Sequence, residues 1–111
     1  MTPKNLIQSV LERYLNWDKL DKKDVPYMDT GTTMCVTLKL RDPNNDEESA
    51  TYIGQVQVDN DDINTIRLYS LIKSKRKKAY VDLSKDTDEE IHDKFIEMFG
   101  EYAKGKTDDP Q

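Results

Sequence analysis

The sequence predicts an α+β fold, in which a four-stranded antiparallel sheet is flanked by one helix from each end of the chain. Two segments with apolar residues at helical spacing lie near the two termini, and alternating segments separated by turn-forming clusters lie between them. We expect the order α-β-β-β-β-α, with the strands in a meander and both helices on one face. The chain of 111 residues is the size of one domain. We place that domain at residues 1–105 and expect 106–111 to be a disordered tail.

The first helix is predicted over residues 3–20. Thr2 is a suitable hydroxyl N-cap, and Pro3 occupies the first helical position, where no amide hydrogen is needed. Apolar residues then recur three and four positions apart, at Leu6, Ile7, Val10, Leu11, Tyr14 and Leu15. Residues 21–32 are expected to form a loop, because Pro26 disfavours helical backbone at the residue before it.

The first two strands are predicted at 33–41 and 49–58, on either side of an acidic turn at 42–48. In the second strand we expect Tyr52, Val56 and Val58 on one face, and Gly54 as a bulge or a point of close approach.

The next two strands are predicted at 63–73 and 78–84, after a turn at 59–62. Segment 63–73 has apolar residues on both faces, which favours a central strand; a helix is the alternative that the pattern leaves open. The basic run at 73–78 is then the hairpin connection. Tyr80 and Tyr69 are expected on the sheet face away from the helices.

The last helix has a strong start. Thr87 and Glu90 form a capping box, and acidic residues crowd the first turn. Gly100 interrupts the apolar stripe that follows, and Gly105 is the predicted C-cap.

Composition indicates a cytoplasmic protein without a membrane segment. Cys35 is the single cysteine, so no disulfide forms within the chain. Glu12 and Arg13 interrupt the N-terminal apolar pattern, unlike a signal peptide, and no apolar stretch is long enough to span a bilayer.

The sequence contains no strong catalytic or metal-binding motif. The triplet Asp29-Thr30-Gly31 matches that of aspartic proteases but does not follow an apolar strand, and it is ordinary turn chemistry. The acidic turns lack the glycine and glutamate of a calcium loop. His92 and Cys35 are single residues of their kind, too few for a zinc site. We therefore expect a binding protein that is not an enzyme and has neither cofactor nor metal.

A basic run stands out in an acidic chain. Residues 73–85 hold six Lys or Arg and one Asp, whereas the whole chain has a formal net charge of -5. The run either keeps a hairpin tip soluble or neutralises the phosphates of single-stranded nucleic acid while aromatic residues stack on bases. The candidate nucleic-acid-binding residues are Lys73, Lys75, Arg76, Lys77, Lys78 and Tyr80.

The segment "KRKKAYVDLSKDTDEEIHDKFIEMF" resembles the C-terminal part of single-strand-binding domains of the PC4-like type. It shares with them a basic turn, a short strand and a helix with an acidic start, over about a quarter of the chain. Lys78 and Ala79 stand where those domains have a glycine. The resemblance implies a curved four-stranded sheet, single-strand binding and dimerisation.

The acidic blocks support the leading hypothesis, a non-enzymatic protein-binding module such as an inhibitor, an immunity protein or a chaperone-like adaptor. Its acidic surface would engage a basic partner. In a meander, the 59–62 turn and the start of the last helix lie at the same end of the sheet. The candidate partner-binding residues are Asp59, Asp61, Asp62, Asp88, Glu89 and Glu90. A homodimer is also possible, through a strand edge or through Trp17 and Leu20.

Overall fold

Two helices cover one face of a five-stranded antiparallel sheet in the computed structural model, which describes residues 2–16, 27–39 and 52–105. The helices are Pro3–Tyr14 (α1) and Asp88–Phe99 (α2). The strands are Tyr27–Asp29 (β1), Thr33–Lys39 (β2), Tyr52–Asp59 (β3), Asp62–Ser70 (β4) and Lys77–Asp82 (β5), which pair in chain order. The α+β class and the meander are confirmed, but the sheet has five strands where four were predicted.

The hydrophobic core lies between the helices and the sheet. Each helix buries one stripe of apolar residues, and alternate residues of β2 to β5 meet these stripes from the other side. Phe95 and Phe99 of α2 are fully buried, and the Phe95 ring stacks on Tyr14 of α1 at a centroid separation of 5.1 Å. The aromatic contact joins the two helices over the sheet.

The additional strand, β1, lies within the segment predicted as a loop at 21–32. It pairs with β2 in the register Tyr27 to Val36 and Asp29 to Met34. Three residues are too few to show a period-2 pattern, so only the backbone pairing with β2 defines this edge strand. The prediction of a loop for the whole segment was wrong. Residues 21–26 lie outside the described residues.

Helix α1 ends at Tyr14, earlier than the predicted residue 20. Leu15 is already extended and bridges to Ala103, while the amide of Asn16 donates to the Tyr102 carbonyl at 2.8 Å. The apolar spacing continues to Leu15, but pairing with the C-terminal segment satisfies the backbone there instead of another helical turn. Trp17 and Leu20 lie outside the described residues, as do the 42–48 turn and the 106–111 tail.

Strand β3 contains an irregularity that reverses the predicted direction of Tyr52. The register with β2 shifts between Leu38 and Lys39, opposite Ile53 and Gly54, so that Ile53 points into the core and Tyr52 points away from it. An extra residue in one strand inverts the alternation beyond it. Gly54 is therefore a bulge residue, as predicted, but the placement of Tyr52 beside Val56 was wrong.

The ambiguous segment 63–73 is a strand. β4 runs from Asp62 to Ser70, and a short 3₁₀ turn at Ile72–Ser74 leads into β5. The hairpin connection is therefore residues 71–76. The last two residues of the basic run, Lys77 and Lys78, belong to β5 itself.

Helix α2 begins as predicted and ends earlier. The Thr87 hydroxyl accepts from the Glu90 amide at 3.1 Å, and the Glu90 carboxylate accepts from the Thr87 amide at 2.9 Å, which completes the capping box. Gly100 is the C-cap, with a φ of 57°, where a glycine inside the helix and a cap at Gly105 had been predicted. Left-handed backbone suits glycine, so the helix ends at its first glycine.

Candidate functional site

The face of the sheet away from the helices is open and carries aromatic, amide and basic side chains. We call it the open face. The strand registers bring the side chains of successive strands into cross-strand rows, with Thr37, Gln55, Tyr69 and Lys78 in one row and Cys35, Gln57, Arg67 and Tyr80 in the next. A third row, formed by Lys39 and Tyr52, lies at the end of the open face near the β4–β5 connection.

Three tyrosines on the open face each lie beside a lysine ammonium. Lys39 Nζ is 5.3 Å from the centroid of the Tyr52 ring, and Lys78 Nζ is 5.5 Å from that of Tyr69 and 5.1 Å from that of Tyr80. Tyr52 and Tyr80 are about half exposed, at 52% and 51%. These are cation–π contacts at a solvent-exposed surface, where each contributes about 0.5–1 kcal/mol.

The two tyrosines beside Lys78 favour its protonated form. Hydrogen bonding to Tyr80, followed by electrostatic attraction to Tyr69 and Tyr80, raises the pKa of Lys78 above its ordinary value. An ordinary lysine is already cationic at neutral pH, so the raised pKa leaves the charge of Lys78 beside the two rings unchanged there.

A broad concavity of about 810 Å³ lies at the basic end of the open face. Its floor is formed by residues of β2 and β3, and its rim by Tyr52, Tyr69 and the end of the hairpin connection. The lining residues are Thr37, Tyr52, Gly54, Gln55, Gln57, Tyr69, Ser70, Leu71, Arg76 and Lys77. The size falls within the range typical of ligand pockets, and the shape is that of a groove rather than an enclosed cavity.

The structure divides the basic run between two sides of the sheet. Arg76 lines the open-face concavity, and Lys78 lies against Tyr69 and Tyr80. Lys73 and Lys75 instead line a smaller hollow of about 200 Å³ that also includes Glu97 near the end of α2. Lys77 borders both hollows. The residues of the basic run are close together in the sequence, but they do not all lie on one surface of the sheet.

The predicted acidic residues lie together at the opposite end of the sheet. The 59–62 turn joins β3 to β4, and the Leu83 amide donates to the Asn64 carbonyl at 2.7 Å, which brings the approach to α2 beside the start of β4. Asp61 in the turn and Glu89 in the first turn of α2 are both exposed. The two acidic segments thus occupy one end, as a meander requires.

Several of the predicted partner-binding carboxylates accept hydrogen bonds within the chain. Asp59 accepts from Arg67 at 2.9 Å, and Asp62 accepts from the Asn64 amide at 3.1 Å. Glu90 completes the capping box of α2. Asp88 accepts from Arg13 and Tyr14. These bonds give the carboxylates a structural role that does not require a partner.

Asp88 links the two helices. It accepts from Arg13 Nε and from the Tyr14 hydroxyl, each at 2.8 Å, and His92 Nε2 lies 3.5 Å away. The Arg13 hydrogen bond, then the Tyr14 hydrogen bond, hold the pKa of the Asp88 carboxyl below its ordinary value.

The remaining motifs have structural explanations. Asp29 of the Asp-Thr-Gly triplet accepts from the Gly31 amide at 2.8 Å and from Asn60 Nδ2 at 3.2 Å, as a turn carboxylate does. The Gly31 bond, then the Asn60 bond, lower the pKa of Asp29. Cys35 is buried on the open-face side, and burial raises the pKa of its thiol, whereas His92 packs on Tyr14 among the helices. The two therefore form no dyad.

The described part of the chain contains neither a cluster of side chains that could hold a metal ion nor a helix that could cross a membrane. Across 2–16, 27–39 and 52–105, no three or more His, Cys, Asp or Glu are grouped so that they could hold a metal ion. In the same ranges, neither helix has the length and apolar character needed to cross a membrane.

The sequence did not predict the position of several residues on the open face. The alternation of residues 33–41 places Thr37 and Lys39 on one face of a strand, but it does not indicate that Gln55 and Gln57 adjoin them. That adjacency follows only from the pairing register of β2 and β3. Tyr52 was missed because the bulge at Gly54 inverts its direction.

Comparison of the chain with models of known protein families, with curated proteins and with solved structures found no match.

Proposed function

We propose that this protein binds single-stranded nucleic acid on the open face of its sheet. The observation that carries the proposal is the set of three tyrosines, Tyr52, Tyr69 and Tyr80, each beside a lysine on one accessible surface. Single-strand-binding surfaces combine aromatic platforms for the bases with cations for the phosphates. The open face offers both in one groove, with Arg76 and Lys77 at its rim.

The energetics favour exchange of the lysine contacts for base stacking. An exposed cation–π contact contributes about 0.5–1 kcal/mol, whereas a base stacked on an aromatic side chain contributes about 1–3 kcal/mol. Lys39 and Lys78 have flexible stems, so their ammonium groups can leave the rings and reach the phosphates while bases take their place. The resting contacts therefore keep the cations near the site without blocking it.

The division of the basic run provides a matched test. The double variant Arg76→Gln with Lys78→Gln removes two charges from the open face, and Lys73→Gln with Lys75→Gln removes two from the helix side. Affinity for a fluorescent single-stranded oligonucleotide, measured by anisotropy at low salt, should fall roughly tenfold for the first pair and much less for the second. Tyr69→Leu should also lower affinity, by roughly five- to hundred-fold, through lost stacking.

Two results would contradict this proposal. One is that the wild-type protein fails to retain any single-stranded oligodeoxynucleotide or oligoribonucleotide at low salt. The other is that both double variants lose affinity equally, since binding would then follow net charge rather than the open face. Circular dichroism of each variant checks that the fold is intact.

A second proposal is that the acidic end binds a basic protein surface. It is supported by the placement of the 59–62 turn beside the start of α2, which gathers carboxylates at one end. It ranks second because Asp59, Asp62, Asp88 and Glu90 already accept hydrogen bonds within the chain. Asp61→Lys with Glu89→Lys should abolish capture of a basic protein partner in a pull-down treated with nuclease. Capture that is insensitive to this change and to salt would overturn it.

A cytoplasmic location accords with the first proposal, because single-stranded nucleic acid occurs there and an unpaired Cys35 stays reduced.

A further inference from the structure

A continuous chain of side-chain hydrogen bonds crosses the floor of the open face. Arg67 donates through Nη1 to Asp59 Oδ1 at 2.9 Å and through Nη2 to Gln57 Oε1 at 3.2 Å. Gln57 Nε2 donates to Gln55 Oε1 at 3.0 Å, and Gln55 Nε2 donates to Thr37 Oγ1 at 3.2 Å. The chain thus connects three strands of the sheet.

The direction of every bond in this chain is set at its charged end. A guanidinium can only donate and a carboxylate can only accept, so the group of Gln57 that meets Arg67 must be its oxygen. The amide nitrogen of Gln57 then faces Gln55, which must present its own oxygen there. Each glutamine therefore has one possible orientation, although an isolated side-chain amide could be turned over.

The fixed orientation leaves Gln55 with a defined pair of unused groups. One hydrogen of Nε2 and one lone pair of Oε1 are not used within the chain of bonds. Gln55 is the cross-strand partner of Tyr69, and both line the concavity. Directly opposed residues on one sheet face have side chains in contact range, so a base stacked on Tyr69 would bring its edge to Gln55.

We infer that Gln55 reads the edge of the base stacked on Tyr69 and that the open face prefers adenine, an inference that rests on the proposed function. Glutamine pairs with adenine through two hydrogen bonds, in which Oε1 accepts from N6 and Nε2 donates to N7. The network holds Gln55 in place before binding, so little side-chain freedom is lost when the base arrives. Gln55 is thus a specificity-determining residue, and the tyrosines provide affinity for any base.

The experiment measures affinity for three fluorescent homopolymers, of deoxyadenosine, deoxycytidine and thymidine, with wild-type protein and two variants. Gln55→Leu removes both unused groups at similar size, and it should lower affinity for the adenine homopolymer roughly tenfold while changing the other two little. Tyr69→Leu should lower affinity for all three alike. The ratio of wild-type affinity to variant affinity is calculated separately for each homopolymer. The effect of adenine self-stacking on affinity therefore cancels from the ratio.

The outcomes separate this inference from the proposed function. An equal loss of affinity for all three homopolymers in Gln55→Leu, or an adenine preference that persists in that variant, would overturn the role of Gln55 and leave the proposed function standing. A preference for cytosine or thymine would overturn the choice of adenine. Failure to bind any homopolymer at low salt would remove the proposed function itself. The corresponding ribonucleotide homopolymers show whether the natural strand is RNA or DNA.

Gln55→Asn is a second variant that tests the inference if Gln55→Leu fails to fold. It keeps the amide but shortens the side chain by one methylene, so it should preserve the melting temperature better than Gln55→Leu. Its amide no longer reaches the base edge, so the adenine preference should still fall; an unchanged preference would count against the inference.

Discussion

Gly54 allows a close backbone approach between β3 and β4. A Cβ built at this position would lie 2.0 Å from the carbonyl oxygen of Tyr69 and 3.0 Å from the Phe99 ring. The shift in pairing at this point also sends Tyr52 to the open face. One residue without a side chain therefore sets both the contact between β3 and β4 and the position of a candidate stacking residue.

Gly54→Ala should destabilise the protein by about 1–3 kcal/mol or more, because the added methyl group meets backbone that cannot move independently. Urea denaturation followed by circular dichroism measures the change. We expect the variant to weaken oligonucleotide binding as well, since Tyr52 and Tyr69 both border the displaced segment. Unchanged stability would show that the strands do not approach as closely as described.

The turn before β5 holds two non-glycine residues in left-handed backbone. Lys73 has a φ of 55° and Ser74 a φ of 63°. This conformation costs an ordinary residue about 1–2 kcal/mol, and glycine gives back about 0.5–1 kcal/mol through its greater freedom in the unfolded chain. Ser74→Gly should therefore stabilise the protein by up to about 1.5 kcal/mol.

The matched control for Ser74→Gly is Gly31→Ala, where φ is 94° and nothing lies within 4 Å of the added methyl group. Only backbone conformation changes at that site, so we expect the opposite sign, a loss of stability. Thermal unfolding measures both variants. A destabilised Ser74→Gly would indicate that the serine side chain contributes more than the conformation costs.

At the scale of elements, the contact between α1 and α2 depends on one carboxylate at a helix start. Asp88 lies in the first turn of α2, where negative charge is favoured, and it accepts from Arg13 and Tyr14 of α1. The side chains of Arg13 and Asp88 are 64% and 51% exposed, so solvent screens most of the ion pair. The Tyr14 hydroxyl is the more sheltered partner, because that bond is partly buried.

Asp88→Asn should lower stability at neutral pH by less than about 1 kcal/mol. Because the folded state holds the pKa of Asp88 below its ordinary value, its contribution is complete above that ordinary value and is lost as pH falls through the lowered one. Wild type and variant should therefore converge in melting temperature in strong acid. Asp61→Asn is the control with the same charge change in an exposed turn. A difference that persists in acid would contradict this account.

The elements differ in how far the sequence predicts them. Helix α2 was predicted from its first residue because Thr87 and Glu90 complete a local motif that needs no other part of the chain. The end of α1 and the strand β1 could not be predicted, because Leu15 pairs with Ala103 and Tyr27 pairs with Val36. Both features depend on distant partners, which a local pattern does not contain.

The candidate site was predicted in part for the same reason. The alternation around Tyr80 and Lys78 indicated the open face, but the direction of Tyr52 depended on a bulge between two strands. The adjacency of Gln55, Gln57 and Arg67 required the register of β3 and β4.

At the scale of the whole molecule, charge is arranged along the strands. Within residues 52–105, the β4–β5 connection gathers cations at one end of the strands, while the 59–62 turn and the start of α2 gather carboxylates at the other. Within this range the two signs of charge are therefore separated along the strands, although the whole chain has a net charge of -5. The block pattern of the sequence showed that the charges alternate along the chain. In a meander every second connection lies at the same end of the strands, so the 59–62 turn and the approach to α2 share one end and the β4–β5 connection lies at the other.

This polarity predicts that nucleic-acid affinity depends on salt through a few local cations and not through the net charge. For single strands, the logarithm of affinity falls with the logarithm of salt concentration by about 0.7 per neutralised phosphate. The variant Arg76→Gln with Lys78→Gln should reduce this slope by about 1.4, if each residue meets one phosphate. Lys73→Gln with Lys75→Gln, on the helix side, should leave the slope nearly unchanged. Tyr69→Leu should lower affinity at every salt concentration and keep the wild-type slope, because stacking releases no counterions. Anisotropy titrations over a series of salt concentrations measure all four slopes. An equal reduction by both double variants would mean that the strand does not follow the open face.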